Sequence, residues 1–210
     1  IGLTHSAVIS EGNLGRPAEA IRLAPDGLGM LAVSMSARET SIALVALTGE
    51  VSEVSVLPAT AETPYEEAIT VVADAVRLLA STGNQRFHAL AGLGVSFGGS
   101  VSFRDGRIAD ASSFPDWRGK ALAHDLEVAT GIRTHVDNQP VAIIRALSWF
   151  GPTANHNRFL CFADNGLAGC VSPPLGPFPD NGLTSGNFGH VNGRDTGERQ
   201  CWCGLYDCLN

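Results

Sequence analysis

The order of strand-like and helix-like stretches predicts an α/β fold, a mixed sheet covered by helices on both faces. Two observations carry this. Three apolar runs, 29–34, 41–47 and 51–57, follow one another closely, and the turn signal Thr48-Gly49-Glu50 separates the last two; such short links favour antiparallel neighbours. From residue 64 onward, helical and strand patterns alternate. Strands joined through helices are expected to run parallel with right-handed crossovers.

Residues 1–27 lack a steady period: a turn-rich connector, Glu11-Gly12-Asn13-Leu14-Gly15-Arg16-Pro17, precedes a short apolar alternation at Ile21 and Leu23. Pro64 opens a helix whose apolar stripe, Tyr65, Ile69, Val72, Val76 and Leu79, recurs at helical spacing, with Glu66, Glu67 and Asp74 outside it and Gly83 expected to close it. The run 88–96 reads as a buried strand bounded by Gly98-Gly99, and a polar hairpin around Arg104-Asp105-Gly106 follows. Residues 118–130 are expected to form a helix, 131–136 a strand, and 140–150 a helix beginning at Pro140, where proline is tolerated in the first turn. Two more strands, 158–163 and 167–171, join across Asp164-Asn165-Gly166, and the stretch 172–186, with prolines at 173, 174, 177 and 179, reads as irregular. No repeat or low-complexity tract appears.

With 44% hydrophobic and 17% charged residues, the chain can bury a sizeable core, enough for two lobes. No apolar run approaches the roughly 20 residues of a membrane span, and no targeting segment is visible. The expected location is therefore the cytoplasm, with no membrane partner. A net charge of −7 argues against these residues gripping a phosphate backbone themselves. The chain opens at Ile1-Gly2-Leu3-Thr4 without Met and stops two residues after Cys208, so it reads as a piece of something longer.

The clearest chemistry lies near the end, where Gly189-His190 is followed by Cys201-Trp202-Cys203-Gly204 and Cys208. One imidazole and three thiols fit the four corners of a structural zinc site, which leaves no position for a catalytic water. The candidate ligands are His190, Cys201, Cys203 and Cys208. Three other readings compete: two disulfides with one thiol left over among the five cysteines, a redox pair, and coincidence. The odd count, the short separation of Cys201 and Cys203, and the lack of Cys-x-x-Cys favour the metal.

Several motifs in one order resemble the ROK family (repressors, open reading frames and sugar kinases). They are Gly92-Leu93-Gly94-Val95-Ser96-Phe97-Gly98, Pro115-Asp116-Trp117-Arg118-Gly119, Val136-Asp137-Asn138-Gln139, Gly166-Leu167-Ala168-Gly169, Asn187-Phe188-Gly189-His190, and the cysteine segment through Leu209-Asn210. The resemblance covers roughly residues 28–210, and its most specific part is the segment similar to the family's Gly-His…Cys-x-Cys-Gly-x-x-Gly-Cys-Leu-Glu. It implies an actin-like, ribonuclease-H-like fold of two lobes. The expected division is a remnant of a winged helix-turn-helix with its linker over 1–27, a first lobe over 28–150, and the start of a second lobe with the zinc loop over 151–210, the rest of that lobe lying beyond.

The resemblance also implies where kinase chemistry would sit, and the residues depart from it. Kinases of this fold hold ATP phosphates on a Gly-rich turn after the first strand, with an Asp serving magnesium; the matching stretch here, from Ala32 to Thr40, has neither Gly nor Asp. A second phosphate turn has Asp164 where the family has Gly, and a carboxylate repels phosphate. The family's general base, the Asp of Glu-Asn-Asp, is matched by Gln139, and an amide cannot accept that proton. Asp137 is one residue removed from Asn138 on a strand end, so its side chain is expected to point elsewhere. Two glutamates that contact sugar in the family are matched by Asn187 and Asn210. The remaining amides and imidazole, Asn138, Gln139, Asn187, His190 and Asn210, form a candidate site for a neutral polyol or sugar phosphate, against the alternative of a vestigial cleft that meets only water. His190 is expected to put one ring nitrogen on zinc and aim the other at the cleft.

The beginning of the chain resembles the repressor branch. Gly2-Leu3-Thr4-His5-Ser6-Ala7-Val8 resembles the start of a recognition helix, with Thr4, His5 and Ser6 as candidate DNA contacts, and Gly15-Arg16-Pro17 resembles the connector after the wing; most of the wing is expected to be missing near Val8. The alternative is an ordinary surface segment and linker. The function expected is a transcriptional regulator, not an enzyme, whose sugar-kinase-like body senses a small ligand and controls operator binding as a homodimer or higher oligomer. The rivals are a ROK sugar kinase with degenerate motifs and a ligand-independent dimerising scaffold.

Overall fold

The computed structural model describes residues 3–9, 18–102, 104–111, 113–151, 158–163, 167–172, 193, 197–200 and 206–209. Its centre is a five-stranded sheet. Three strands come from the closely spaced apolar runs, β3 (Leu28–Met35), β4 (Thr40–Ala46) and β5 (Val51–Leu57), and pair antiparallel in sequence. Two others, β6 (Ala89–Phe97) and β9 (Thr134–Asn138), add in parallel on the other side, giving the order β5-β4-β3-β6-β9. The parallel pairs are those separated by helices in the chain, as crossover geometry requires.

The core lies between one face of this sheet and two helices, α1 (Tyr65–Arg86) and α2 (Leu122–Thr130). Alternate strand residues Leu31, Val33, Ile42, Leu44, Leu93 and Val95 point into it, as the period of two demands. Trp117, Phe97 and Phe114 are its largest fully buried side chains, each stabilising by about 2–3 kcal/mol through burial. The 3₁₀ turn Pro115–Trp117 seats Trp117 beside Tyr65, ring edge to face at 5.2 Å, and the indole N–H donates to the Thr63 carbonyl at 3.3 Å. Helix α3 (Gln139–Phe150) lies on the opposite face, so helices flank both sides.

Three smaller hairpins complete the described chain: β1 (Thr4–Ile9) with β2 (Ala18–Leu23), β7 (Ser100–Val101) with β8 (Ile108–Asp110), and β10 (Arg158–Ala163) with β11 (Leu167–Ser172). The hairpin β10–β11 falls where two late strands are expected, and it lies beside α3. Among the described residues, no helix is long and apolar enough to cross a membrane.

Three expectations are corrected. The stretch resembling the start of a recognition helix is a strand, with Thr4, His5 and Ser6 paired to Leu23, Arg22 and Ile21. Its β-branched residues Thr4, Val8 and Ile9 suit a ladder once the 18–23 partner is available. Gly83 does not end α1, which runs to Arg86; Gly83 is buried, and a Cβ there would stand 3.0 Å from Leu44 Cδ2 and Leu90 Cδ2. It serves close helix–sheet approach rather than termination. The helix expected at 118–130 begins only at Leu122, because Gly119 (φ +79°) turns the chain after Trp117.

Candidate functional site

The carboxyl ends of β3, β6 and β9 converge, and in open α/β sheets that edge is where ligands bind. The join is tight. The N–H of Gly98, just past β6, donates to the Met35 carbonyl at the end of β3 (2.8 Å), and a Cβ on Gly98 would stand 3.2 Å from that oxygen. A side chain there would wedge the two strand ends apart.

The turn after β3 is closed on itself. The N–H of Ser36 donates to the Glu39 carbonyl at 2.9 Å, and the Ser36 hydroxyl both donates to that carbonyl (2.9 Å) and accepts from the Glu39 N–H (3.1 Å). Two amides that a phosphate-cradling turn would present outward are therefore consumed within the turn.

Asn138 and Asp137, adjacent at the end of β9, point in opposite directions, as strand geometry dictates. The amide nitrogen of Asn138 donates to the Gly99 carbonyl at 2.7 Å. A carbonyl can only accept, so this bond fixes which end of the amide faces Gly99. The other end, Oδ1, is buried with no hydrogen-bond partner among the described residues. Asn138 thus offers the acceptor Oδ1, with one N–H of its amide committed to Gly99. Asp137, 9% exposed, faces the other side of the sheet. There Arg145 of α3 stands 2.6 Å from its Oδ2, with His135 Nε2 at 3.9 Å, while its Oδ1 accepts from the Asn138 N–H at 3.0 Å. This carboxylate is committed to an ion pair away from the Asn138 side chain. Gln139 follows as the first residue of α3, half-buried.

Of the remaining candidates, Asn187, His190, Asn210, Cys201 and Cys203 lie outside the described residues, as do Asp164 and the connector 11–17. Cys208 is described and is 4% exposed. The chain around it is tied by Asp207, whose carboxylate accepts from the N–H groups of Gly197 and Arg199, while the Arg199 guanidinium donates to the Cys208 carbonyl at 2.8 Å. An antiparallel bridge between Gln200 and Tyr206 brackets the positions of Cys201 and Cys203 in the sequence. Among the described residues, no group of three or more His, Cys, Asp or Glu forms a metal cluster.

Sequence reasoning missed Gly99, Arg145 and Asp207. The first two carried no local signal. Asp207 did: it stands where the resembling motif has Gly, and its backbone is left-handed (φ +54°), a conformation that Gly adopts freely and Asp tolerates.

A search of solved structures gives matches on both sides of the family. A ROK family transcriptional regulator, homologue of the E. coli MLC protein, superposes with a TM-score of 0.76 at 22% identity, covering 99% of this chain and 52% of its own. A ROK family glucokinase from Streptomyces griseus, solved with glucose and AMPPNP, gives 0.67 at 20% identity, covering 86% of this chain and 55% of that one. A ROK hexokinase from Thermus thermophilus gives 0.61 at 22% identity, covering 86% and 58%. The chain thus spans about half the length of these structures, and the likeness establishes the actin-like fold they share. No curated protein sequence matches. The ROK family model matches residues 30–210, most of the chain, and the chain belongs to the ROK family.

Proposed function

We propose that this chain is the sensing body of a ROK-type transcriptional regulator that binds a small hydroxyl-rich ligand and does not phosphorylate it. The carrying observation is the position of the carboxylate nearest the expected base. Asp137 is held against Arg145 at 2.6 Å on the far side of β9, and Gln139 stands where the family pattern has Asp. Asp137, the carboxylate next to Asn138 in sequence, is thereby turned away from a sugar hydroxyl bound at the Asn138 side chain. The self-closed turn at Ser36–Glu39 supports the same reading, since it leaves few free amides for phosphate.

The unpartnered Oδ1 of Asn138 fits a ligand that donates, as a sugar hydroxyl does. Asn187, His190 and Asn210 would complete the site, and a ligand would act through unequal affinity for two states of the protein.

The regulator match necessarily takes in β1 and β2, since it covers 99% of the chain. That hairpin suits a winged-helix wing, which reassigns Thr4, His5 and Ser6 from a recognition helix to a wing strand near operator DNA. A homodimer would hold two such units at half-sites in the cytoplasm. Zinc, if taken up, would sit on His190, Cys201, Cys203 and Cys208. The burial of Cys208 suits that donor set, and a full set of protein ligands makes the metal a brace.

A coupled ATP-dependent phosphorylation assay over a panel of hexoses and N-acetylhexosamines tests the reading, with calorimetry of the same sugars and their phosphates. Heat of binding without turnover is expected. Turnover that Gln139→Ala abolishes would instead make the protein a kinase, and the absence of heat with every sugar would leave a dimerising scaffold.

A further inference from the structure

Arg145 is the one charged residue of α3, whose other positions are apolar or neutral. Helical side chains lean toward the helix N-terminus, so Arg145 reaches back to Asp137 near the end of β9, 2.6 Å from Oδ2. A partly desolvated ion pair is weak evidence for stability, because the cost of removing water offsets much of the attraction. What it does fix is direction. With Oδ2 on the guanidinium, Oδ1 faces the Asn138 N–H and accepts from it at 3.0 Å. His135 Nε2, 3.9 Å from Oδ2 and 54% exposed, is too distant for a hydrogen bond that would replace this hold.

Asn138 occupies the N-cap position of α3, with extended backbone (φ −64°, ψ 140°). There an Asn side chain ordinarily turns back, and its oxygen accepts from the N–H of the second or third helical residue. The second is Pro140, which has no N–H, so Val141 would be the donor. The structure shows no such cap. The Asn138 amide reaches across to the Gly99 carbonyl instead, and Oδ1 is left without a partner among the described residues. Two conformations therefore compete for one oxygen: capping would consume the atom that a ligand hydroxyl needs. The Asp137 carboxylate grips the Asn138 backbone in the conformation that presents it.

We propose that Arg145 is a positioning residue for the ligand site. Acting through Asp137 from the opposite side of the sheet, it keeps Oδ1 of Asn138 available to a ligand hydroxyl and off the Val141 N–H, and so sets ligand affinity without touching the ligand. The affinity part rests on the reading of Asn138 as a sugar contact; the conformational part is independent of it and is measured without any sugar.

Three variants of the full-length gene product separate position from stability. Arg145→Met removes the cation, and Arg145→Lys keeps it. Asp137→Leu combined with Arg145→Met leaves neither charge buried alone, which restores stability, but it still removes the acceptor of the Asn138 N–H. Calorimetry with hexoses, N-acetylhexosamines and their phosphates, run well below each melting temperature, is expected to show dissociation constants raised about tenfold in Arg145→Met and in the double variant, and close to wild type in Arg145→Lys. Affinity that instead tracks the melting temperature, recovering in the double variant, would make the pair merely structural and overturn the proposal. In the sugar-free protein, amide exchange read residue by residue by NMR is expected to slow about tenfold at Val141 and to quicken at Asn138 when Arg145 becomes Met. Unchanged exchange at both positions would overturn the proposal whether or not a sugar binds. The expected exchange, with no heat from any sugar in wild type, would uphold the hold of Arg145 on Asn138 and refute the functional reading alone.

Discussion

Replacing Tyr65 by Phe removes one hydroxyl from the junction of α1 and α2. Tyr65 is 4% exposed, and its hydroxyl donates to Asp125 Oδ2 at 2.6 Å. A hydrogen bond to a charged acceptor contributes about 1.5–3 kcal/mol. Asp125 is half-buried, so water can take up part of the lost bond, and Phe keeps the ring against Trp117. The expected loss at pH 7 is about 2 kcal/mol, a fall of about 1 M in the urea midpoint.

The pH dependence makes this specific. Burial first, and then the hydrogen bond and charge of Asp125, raise the Tyr65 pKa well above its ordinary value of 10.0. A raised folded-state pKa means that the folded protein keeps a proton the unfolded chain loses above about pH 10, so the contribution is whole below that pH and fades as pH rises. With a slope of about 1.4 kcal/mol per pH unit, the wild-type advantage over Tyr65→Phe should shrink by about 1.4 kcal/mol between pH 9 and pH 11. Urea titrations of both proteins across that range measure it, and groups common to both cancel in the difference. An advantage that stays constant or grows through pH 11 would refute the reasoning.

Three other perturbations probe the site. Arg145→Met leaves the Asp137 carboxylate, 9% exposed, without its ion-pair partner; allowing for the partial exposure of the arginine, a loss of about 2 kcal/mol is expected in denaturant titration, and Asp137→Asn in the same background should recover part of it. Asn138→Asp sets a carboxylate against the Gly99 carbonyl, now 2.7 Å from the amide nitrogen; it should reduce sugar affinity at least tenfold by calorimetry, about 1.4 kcal/mol, while Asn138→Ser, which can still donate, should lose less. Asp207→Ala removes the acceptor of the Gly197 and Arg199 N–H groups; amide exchange there should rise by about 10- to 100-fold, and any zinc bound should be released to a chelator faster than from wild type.

How far the sequence could be read depended on how local the cause was. The apolar period of α1 and the alternation of β3 and β4 are local, and both elements fall where expected. The division of Asp137 and Asn138 between opposite sides of β9 also follows from strand geometry alone. The end of α1 did not follow, because Gly83 owes its place to Leu44 and Leu90 rather than to a helix cap. Residues 2–8 read as a helix start by motif, whereas Thr4–Ile9 form a strand through pairing with 18–23, a partner that a short motif does not include. Gly99 and Arg145 escaped notice because the first meets Asn138 from 39 residues away and the second acquires its role only when α3 is laid across the sheet.

The chemical identity of the site was determined by the sequence itself: the ROK motifs, the Gln at position 139, and the missing Gly and Asp in the turn after β3. Which functional groups a chain carries is a property of its residues one at a time. Only the tertiary structure decided what those groups can do. It turned Asp137 toward Arg145, set the orientation of the Asn138 amide by tying its nitrogen to Gly99, and closed the Ser36 turn on its own amides. Direction and hydrogen-bond capacity belong to pairs of groups that are distant in sequence, and they are set when strands and helices pack.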